Sequence, residues 1–92
     1  MPVRVHLKIS GIVQGVCFRH YCRAQAEQIG VKGFVRNNDD DSVEAVAEGS
    51  EEAVREFLVW CRRGPSLAVV KACEEKYEPP TGEFASFTIG YW

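Results

Sequence analysis

The spacing of apolar residues changes once near the N-terminus, and this change limits the possible folds more than any other feature. Val3, Val5, Leu7 and Ile9 alternate with polar residues, which is the period of a half-buried strand. From Phe18 onward the spacing becomes that of a helix with one apolar face, formed by Phe18, Cys22, Ala26 and Ile29. Because the helix follows the strand so closely, we expect the apolar face of the helix to pack against the apolar face of the strand in an adjacent layer.

The rest of the chain repeats this alternation of strands and helices. "GFVRN" is a short strand, "NDDD" a turn and "SVEAVAE" another strand. Ser50 is a suitable N-cap for a helix with Val54, Phe57, Leu58 and Cys61 on one face, which Gly64 ends. "LAVVKACEEKYE" and "FASFTIGY" are strand-like. The order β-α-β-β-α-β, with a short additional strand, predicts an α+β ferredoxin-like sandwich: an antiparallel sheet with two helices on one face. We expect one domain over residues 1–92.

Charge and composition exclude several functions. The formal net charge of −2 gives no electrostatic case for nucleic-acid or anionic-membrane partners. No apolar run approaches the roughly 20 residues that cross a bilayer. The N-terminus alternates instead of forming a signal-peptide block, so we expect a cytoplasmic protein. The cysteines form no Cys-x-x-Cys pair and the histidines no zinc pattern, which favours free thiols and no metal: Cys17, Cys22, Cys61, Cys73.

The loop between the first strand and the first helix has the composition of an anion site. Glycines permit unusual backbone angles and close approach to the backbone, and a helix N-terminus adds unpaired N–H groups. Arg19 adds a planar fork of donors that matches phosphate oxygens. Spacing alone leaves an alternative open, in which Gly11 and Gly15 form a tight turn and Arg19 is a solvated residue. The loop is not a Walker P-loop, because it lacks the Gly-Lys-Ser/Thr ending.

Two motifs resemble one known family. "GIVQGVCFR" resembles the acylphosphatase signature Gly-x-Val-Gln-Gly-Val-x-Phe-Arg, and "GFVRN" resembles its second element, Gly-x-Val-x-Asn. "SVEAVAEG" and the later "GP" are also similar to that family. The resemblance implies hydrolysis of acyl phosphates to a carboxylate and inorganic phosphate, without metal or organic cofactor, by a protein that we expect to be monomeric. It further implies that Arg19 clamps the phosphoryl group, that Asn37 holds the attacking water, and that a backbone cradle binds phosphate: Gly15, Val16, Cys17, Phe18, Arg19.

The chemistry of this reaction suits these residues. The departing carboxylate is a weak base, and phosphoryl transfer depends chiefly on positioning and electrostatic stabilisation. An amide aligns water but is a poor base, so a substrate phosphate oxygen can take the proton. A nucleophilic role for Cys17 is the disfavoured alternative, because the signature is variable there. We interpret His20 as a variable helix-start residue. Arg23 either adds positive field or belongs to a solvated face.

Other residues are interpreted structurally. Arg36 points to the opposite face of its strand from Asn37, and Trp60 is expected to be partly exposed packing. Asp41 stands where the family usually has glycine, and Asp39, Asp40 and Asp41 together concentrate negative charge near the site. No role is assigned to Tyr91 or Trp92.

Two other functions remain as alternatives. A carbamoyl-phosphate-cleaving domain, like the N-terminal domain of hydrogenase maturation factors, would be expected to continue into cysteine-rich zinc domains, which this sequence lacks. A non-catalytic ferredoxin-like binding module for RNA would need aromatic residues on the central strands. The strands Val3 to Ile9 and Ser42 to Glu48 have none. A module for copper-type metal binding would need a Cys-x-x-Cys loop, which is also missing.

Overall fold

A computed structural model of the chain describes residues 2–90 and shows five strands and two helices. In chain order they are β1 Pro2–Ile12, α1 Phe18–Ile29, β2 Lys32–Asn37, β3 Val43–Ser50, α2 Glu51–Arg63, β4 Val69–Glu78 and β5 Phe87–Gly90. Each element predicted from the spacing of apolar residues is present. The main differences in extent are a longer β1 and a shorter β5. Within the described residues, neither helix is long and apolar enough to cross a membrane.

The sheet has the strand order β4-β1-β3-β2-β5, and the ferredoxin-like fold is confirmed. β1 pairs antiparallel with both β3 and β4, and β2 pairs antiparallel with β3. The predicted antiparallel sheet differs in one pairing, because β5 lies parallel to β2. The sheet is therefore mixed, and β5 extends the four-stranded core at the edge beside β2.

The register brings four chain segments to one end of the sheet. Val43, the first residue of β3, pairs with Ile9 of β1 on one side and with Asn37, the last residue of β2, on the other. Arg36 in turn pairs with Gly90 at the end of β5. The loop that leaves β1 therefore lies beside the β2–β3 turn and the end of β5. The candidate site is built at this end.

The core lies between the sheet and the two helices. Val5, Leu7 and Ile9 of β1 are fully buried, whereas Arg4, His6 and Lys8 lie on the opposite face. The helices contribute the buried stripes that the spacing predicted, except that Ile29 is only partly buried.

The prediction that Trp60 is partly exposed was wrong. Trp60 is only 9% exposed, and its ring lies 5.5 Å from the Phe18 ring. α2 packs against α1 as well as against the sheet, so its buried face is wider than the stripe that includes Phe57 and Cys61.

The helix ends follow the predicted chemistry. Gly30 ends α1 with a left-handed φ of 97°, and its N–H donates to the Ala26 carbonyl at 2.8 Å. Ser50 caps α2, because its hydroxyl oxygen accepts from the Ala53 N–H at 3.1 Å.

Candidate active site

A cavity of about 340 Å³ opens at the end of the sheet where the strand termini meet. Two of the lining residues are Asn37, at the end of β2, and Ile89, in β5. The others belong to the loop after β1 and to the start of α1: Val13, Gln14, Gly15, Cys17, Phe18, Arg19, His20. The structure thus brings both predicted catalytic residues, Arg19 and Asn37, to the same cavity. They are separated by 18 positions in the sequence (37 minus 19).

The loop backbone approaches this cavity in an unusual conformation. Gly15 has a φ of 76°, and Cys17 is left-handed with φ 60° and ψ 28°. Phe18, which follows Cys17, begins a right-handed helix. Two adjacent residues of opposite handedness turn their N–H groups toward one side, which is the backbone geometry of an anion-binding nest. No local pattern indicated that Cys17 would be left-handed, because only glycine, asparagine and aspartate commonly signal that conformation.

The N-terminus of α1 lies at the cavity, because Phe18, Arg19 and His20 are among its lining residues. Tyr21 N–H makes the first bond of the helical ladder, to the Cys17 carbonyl at 3.1 Å, so the N–H groups of Phe18, Arg19 and His20 precede it. Among the described residues, the Cys17 side chain makes no capping hydrogen bond to α1. The Ser50 hydroxyl, in contrast, does cap α2. The positive dipole end of the first helix therefore lies beside the cavity.

Gly11, near the end of β1, and Gly15, in the loop that follows, serve different purposes. A Cβ on Gly11 would lie 2.1 Å from the Val69 carbonyl oxygen, so Gly11 permits close approach of β4 at a β-bulge. A Cβ on Gly15 would meet nothing within 4 Å. Space alone would therefore permit a side chain at Gly15, and its positive φ is what favours glycine there. The sequence did not distinguish these two roles, because only the pairing of β1 with β4 separates them.

The side chain that precedes Asn37 points away from the cavity. Arg36 lies on the other sheet face, where its guanidinium donates to Glu44 at 2.8 Å, which confirms its structural assignment. Burial acts to raise the pKa of Glu44, but hydrogen bonds from Arg36 and His6 outweigh it and hold that pKa below its ordinary value. The alternation of the strand thus turns the Asn37 side chain toward the site and the Arg36 charge away from it.

A second cavity of about 380 Å³ adjoins the first and shares Gln14, Arg19 and Asn37 with it. Asp39 and Asp41 are part of its lining. Asp40 instead pairs with Lys8 on the other face of the sheet. The predicted cluster of negative charge is therefore divided, with two of its three carboxylates beside the candidate site.

The remaining predicted residues are placed as follows. The side chain of Val16 packs against the core and is not part of the cavity lining, whereas Cys17 is exposed at the cavity. Arg23 is exposed and lies 3.7 Å from Glu27 one turn along α1. All four cysteines are free thiols, and within residues 2–90 no cluster of His, Cys, Asp or Glu is arranged to hold a metal ion. Tyr91 and Trp92 lie outside the described residues.

Sequence reasoning missed the role of Gln14. Its side-chain amide nitrogen donates to the Asn38 carbonyl and to the Ser42 carbonyl, each at 2.9 Å. These bonds connect the loop after β1 to the β2–β3 turn. Gln14 belongs to the nine-residue motif, which was the available signal, but its partners are 24 and 28 residues away, and no local pattern identifies them.

A ferredoxin-like sandwich whose first helix begins at a cavity lined by an arginine and an asparagine is typical of a small anion-binding α+β protein. The acylphosphatase family model matches residues 5–89. An acylphosphatase of Chloroflexus aurantiacus is 52% identical over 87 residues, which are 95% of each chain. The chain belongs to the acylphosphatase family and is an acylphosphatase enzyme.

Solved structures agree with this assignment. The acylphosphatase of Bacillus subtilis superposes with a TM-score of 0.93 at 29% identity, covering 97% of this chain and 99% of that one. Full-length HypF, solved in a phosphate- and nucleotide-bound form, matches with a TM-score of 0.89 at 28% identity. That match covers 99% of this chain but 12% of HypF, so the same fold also occurs as a small part of a much larger protein.

Proposed function

We propose that the chain hydrolyses the carboxyl–phosphate bond of small acyl phosphates by holding the phosphoryl group in the loop after β1 and directing a water at it. Arg19 clamps the phosphoryl oxygens, and Asn37 positions the water. The backbone N–H groups of residues 15–19 form the cradle. The observation that carries this proposal is the cavity of about 340 Å³ that Arg19 and Asn37 share with the start of α1.

The reaction needs few groups beyond these. The water oxygen bonds to phosphorus as the bond from phosphorus to the acyl oxygen breaks, and the electron pair leaves with the carboxylate. One proton of the water passes to a phosphoryl oxygen. The departing carboxylate is a good leaving group, so the reaction does not need a stronger base to take that proton. Arg19 and the backbone donors stabilise the charge on the equatorial oxygens throughout.

The charges of the cavity fit this division of roles. The guanidinium of Arg19 supplies two parallel donors, which match two oxygens of a tetrahedral anion. The Asn37 amide both donates to and accepts from a water without adding charge beside the anion. All these groups belong to one chain, so we propose a monomeric working form.

Release of inorganic phosphate from benzoyl phosphate and acetyl phosphate, measured with a chelator present, tests the proposal. We expect the wild type to hydrolyse both and Arg19→Ala to lose most of this activity. Arg23→Ala is the matched control, since Arg23 is an exposed arginine on the same helix that does not line the cavity, and it should retain activity. No hydrolysis above the buffer rate by the wild type would refute the proposal.

Carbamoyl phosphate provides a further arm of the same assay. If the wild type hydrolyses carbamoyl phosphate with a far higher kcat/KM than benzoyl or acetyl phosphate, the substrate assignment is wrong and the carbamoyl-phosphate alternative replaces it. Comparable or lower values support a general acyl phosphate hydrolase.

A further inference from the structure

We propose that Gln14 is a positioning residue, which fixes the turn carrying Asn37 at a set distance from the phosphate cradle. This inference rests on the proposed function above. It concerns how two segments that are far apart in sequence hold their catalytic groups in register, and it assigns Gln14 no contact with the reacting atoms.

The contacts of Gln14 use its full donor capacity. A side-chain amide nitrogen carries two hydrogens, and Gln14 directs them at the carbonyls of Asn38 and Ser42, both at 2.9 Å. The Ser42 carbonyl also accepts from the Asn38 N–H at 2.8 Å, so both of its lone pairs are occupied. A half-buried amide with both hydrogens bonded to fixed backbone atoms has little freedom to move.

The position of these bonds explains their consequence for the site. Gln14 immediately precedes Gly15 in the cradle, and Asn38 immediately follows Asn37. One hydrogen bond, from the Gln14 amide to the Asn38 carbonyl, therefore joins the residue next to the cradle to the residue next to Asn37. Gln14 also lines both cavities, at the place where they share Arg19 and Asn37. A displacement of either segment would change the distance between Arg19 and Asn37.

The β2–β3 turn does not depend on Gln14 for its own shape. Asn38 N–H donates to the Ser42 carbonyl, and the Asn38 side-chain amide donates to the Ser42 hydroxyl at 3.0 Å. The Asp40 carboxylate accepts from the Ser42 N–H at 3.1 Å. Loss of Gln14 should therefore leave a formed turn and a formed cradle, with their relative position less well defined. That predicts an effect on catalysis that exceeds the effect on phosphate binding.

Glutamine is the residue type that this connection requires. Asparagine is shorter by one methylene and would not reach both carbonyls. Glutamate would place an acceptor against two acceptors and a negative charge beside a bound anion. Methionine has a similar length but no donor, so Gln14→Met removes the two hydrogen bonds with little change in volume.

Steady-state kinetics with benzoyl phosphate and phosphate binding by calorimetry test the inference on wild type, Gln14→Met and the matched control Gln28→Met, which alters an exposed glutamine on α1. We expect Gln14→Met to lower kcat by roughly 10- to 100-fold, because a misplacement near 1 Å can cost that much. KM and the Kd for inorganic phosphate should change by less than about 3-fold, as for a residue outside the phosphate contacts. Gln28→Met should match the wild type.

Proton exchange in the wild type gives a readout that needs neither turnover nor a variant. The two side-chain amide protons of Gln14 should exchange with solvent more slowly than those of Gln28 in the same NMR spectrum. If Gln14→Met fails to fold, this measurement still decides: equal exchange at the two glutamines would mean that the connection does not persist in solution, and would overturn the inference.

The outcomes also separate this inference from the proposed function. An active wild type with unchanged kcat in Gln14→Met overturns the inference and leaves the proposed function intact. Loss of phosphate affinity in step with kcat also overturns it, because Gln14 would then belong to the cradle. A wild type that hydrolyses no acyl phosphate overturns the proposed function first, and the inference with it.

Discussion

Lys8 Nζ lies 2.8 Å from Asp40 Oδ2 on the face of the sheet opposite the helices. The ammonium of Lys8 and the hydrogen bonds from Ser42 hold the pKa of Asp40 well below its usual range. The middle carboxylate of the acidic turn is thus neutralised on the far side from the candidate site. Asp39 and Asp41 remain beside the cavity that contains Arg19. The turn therefore adds less negative field to the site than its sequence suggested.

The first prediction concerns Asp41, whose φ of 72° is left-handed. That conformation costs an L-residue free energy that glycine does not pay, although glycine also has a more flexible unfolded state. Asp41→Gly should therefore leave the free energy of unfolding unchanged or raise it by at most about 1 kcal/mol. Urea denaturation measures this change. Asp39→Gly is the control, since Asp39 does not have a positive φ, and it should destabilise. A clear loss of stability in Asp41→Gly would show that the turn needs its carboxylate.

The second prediction concerns the shape of the charge at Arg19. Lysine keeps the positive charge but lacks the planar fork that bonds two oxygens at once. Arg19→Lys should therefore lower kcat/KM for benzoyl phosphate by roughly 10²-fold while the far-UV circular dichroism remains native. Arg23→Lys should change neither. Near-normal turnover in Arg19→Lys would refute the clamp and leave only a requirement for local positive charge.

The third prediction separates Asn37 from the phosphate contacts. A residue that positions water acts on the transition state more than on the bound substrate. Asn37→Ala should therefore lower kcat by about 10²-fold with a much smaller change in KM. Initial rates over a range of benzoyl phosphate concentrations give both constants. A large rise in KM with unchanged kcat would instead make Asn37 a substrate-binding residue.

The fourth prediction follows from Glu48, which fastens the connection between β4 and β5. Its carboxylate accepts from Arg4 at 3.0 Å, from the Thr81 N–H at 2.9 Å and from the Gly82 N–H at 3.0 Å. Burial acts to raise the pKa of Glu48, but these hydrogen bonds outweigh it and hold the pKa below the ordinary value of 4.5. A lowered folded-state pKa stabilises the fold above pH 4.5, and this contribution is lost as the pH falls through the folded pKa.

Glu48→Gln should therefore destabilise the protein at pH 7, by about 1–3 kcal/mol. The difference in unfolding free energy between wild type and variant should shrink as the pH falls below 4.5. Urea denaturation at pH 7, 5, 4 and 3 measures this difference. Glu56→Gln, on the exposed face of α2, controls for a general change of charge. A difference that stays constant with pH would mean that the ionisation of Glu48 contributes nothing. The replacement of an acceptor oxygen by an amide nitrogen would then account for the whole loss of stability.

Local patterns predicted the fold because the apolar spacing agrees with the burial. Val5, Leu7 and Ile9 lie at alternating positions of the strand, and all three are fully buried. The N-cap at Ser50 and the helix end at Gly30 both occur where they were predicted from the sequence. The extension of β1 to Ile12 was not predictable, since it depends on a bulge where Gly11 meets β4. The parallel pairing of β5 with β2 depends likewise on contacts between distant segments.

Motifs in the sequence predicted residues of the candidate site, whose roles stay predictions, but they did not predict the contacts that connect these residues. Arg19 and Asn37 follow from motifs, and the structure brings them to one cavity. The left-handed Cys17 and the bonds of Gln14 could not be predicted, because each depends on tertiary geometry that no local spacing encodes. Trp60 was assigned wrongly for the same reason, since its burial depends on Phe18 in the other helix.

The fifth prediction tests the cradle without measuring turnover, by means of inorganic phosphate as a ligand. A ligand that binds only the native state raises the free energy of unfolding by RT ln(1 + [L]/Kd). That is roughly 1.4 kcal/mol when phosphate is at ten times its Kd. In a domain of this size the melting temperature should rise by about 5–10 °C. Sulfate has the same tetrahedral shape and should act similarly, whereas chloride at matched ionic strength should not.

The variants show whether this stabilisation comes from the proposed site. If Arg19 clamps the anion and Asn37 holds the water, as we propose, the shift should vanish in Arg19→Ala and should largely persist in Asn37→Ala. General salt effects would instead stabilise the wild type and both variants alike. Thermal unfolding followed by circular dichroism, with phosphate, sulfate and chloride in parallel, gives all nine comparisons. Equal phosphate shifts in the three proteins would contradict an anion site at residues 15–19. Loss of the shift in Asn37→Ala alone would place the anion against the β2–β3 turn and not at the start of α1.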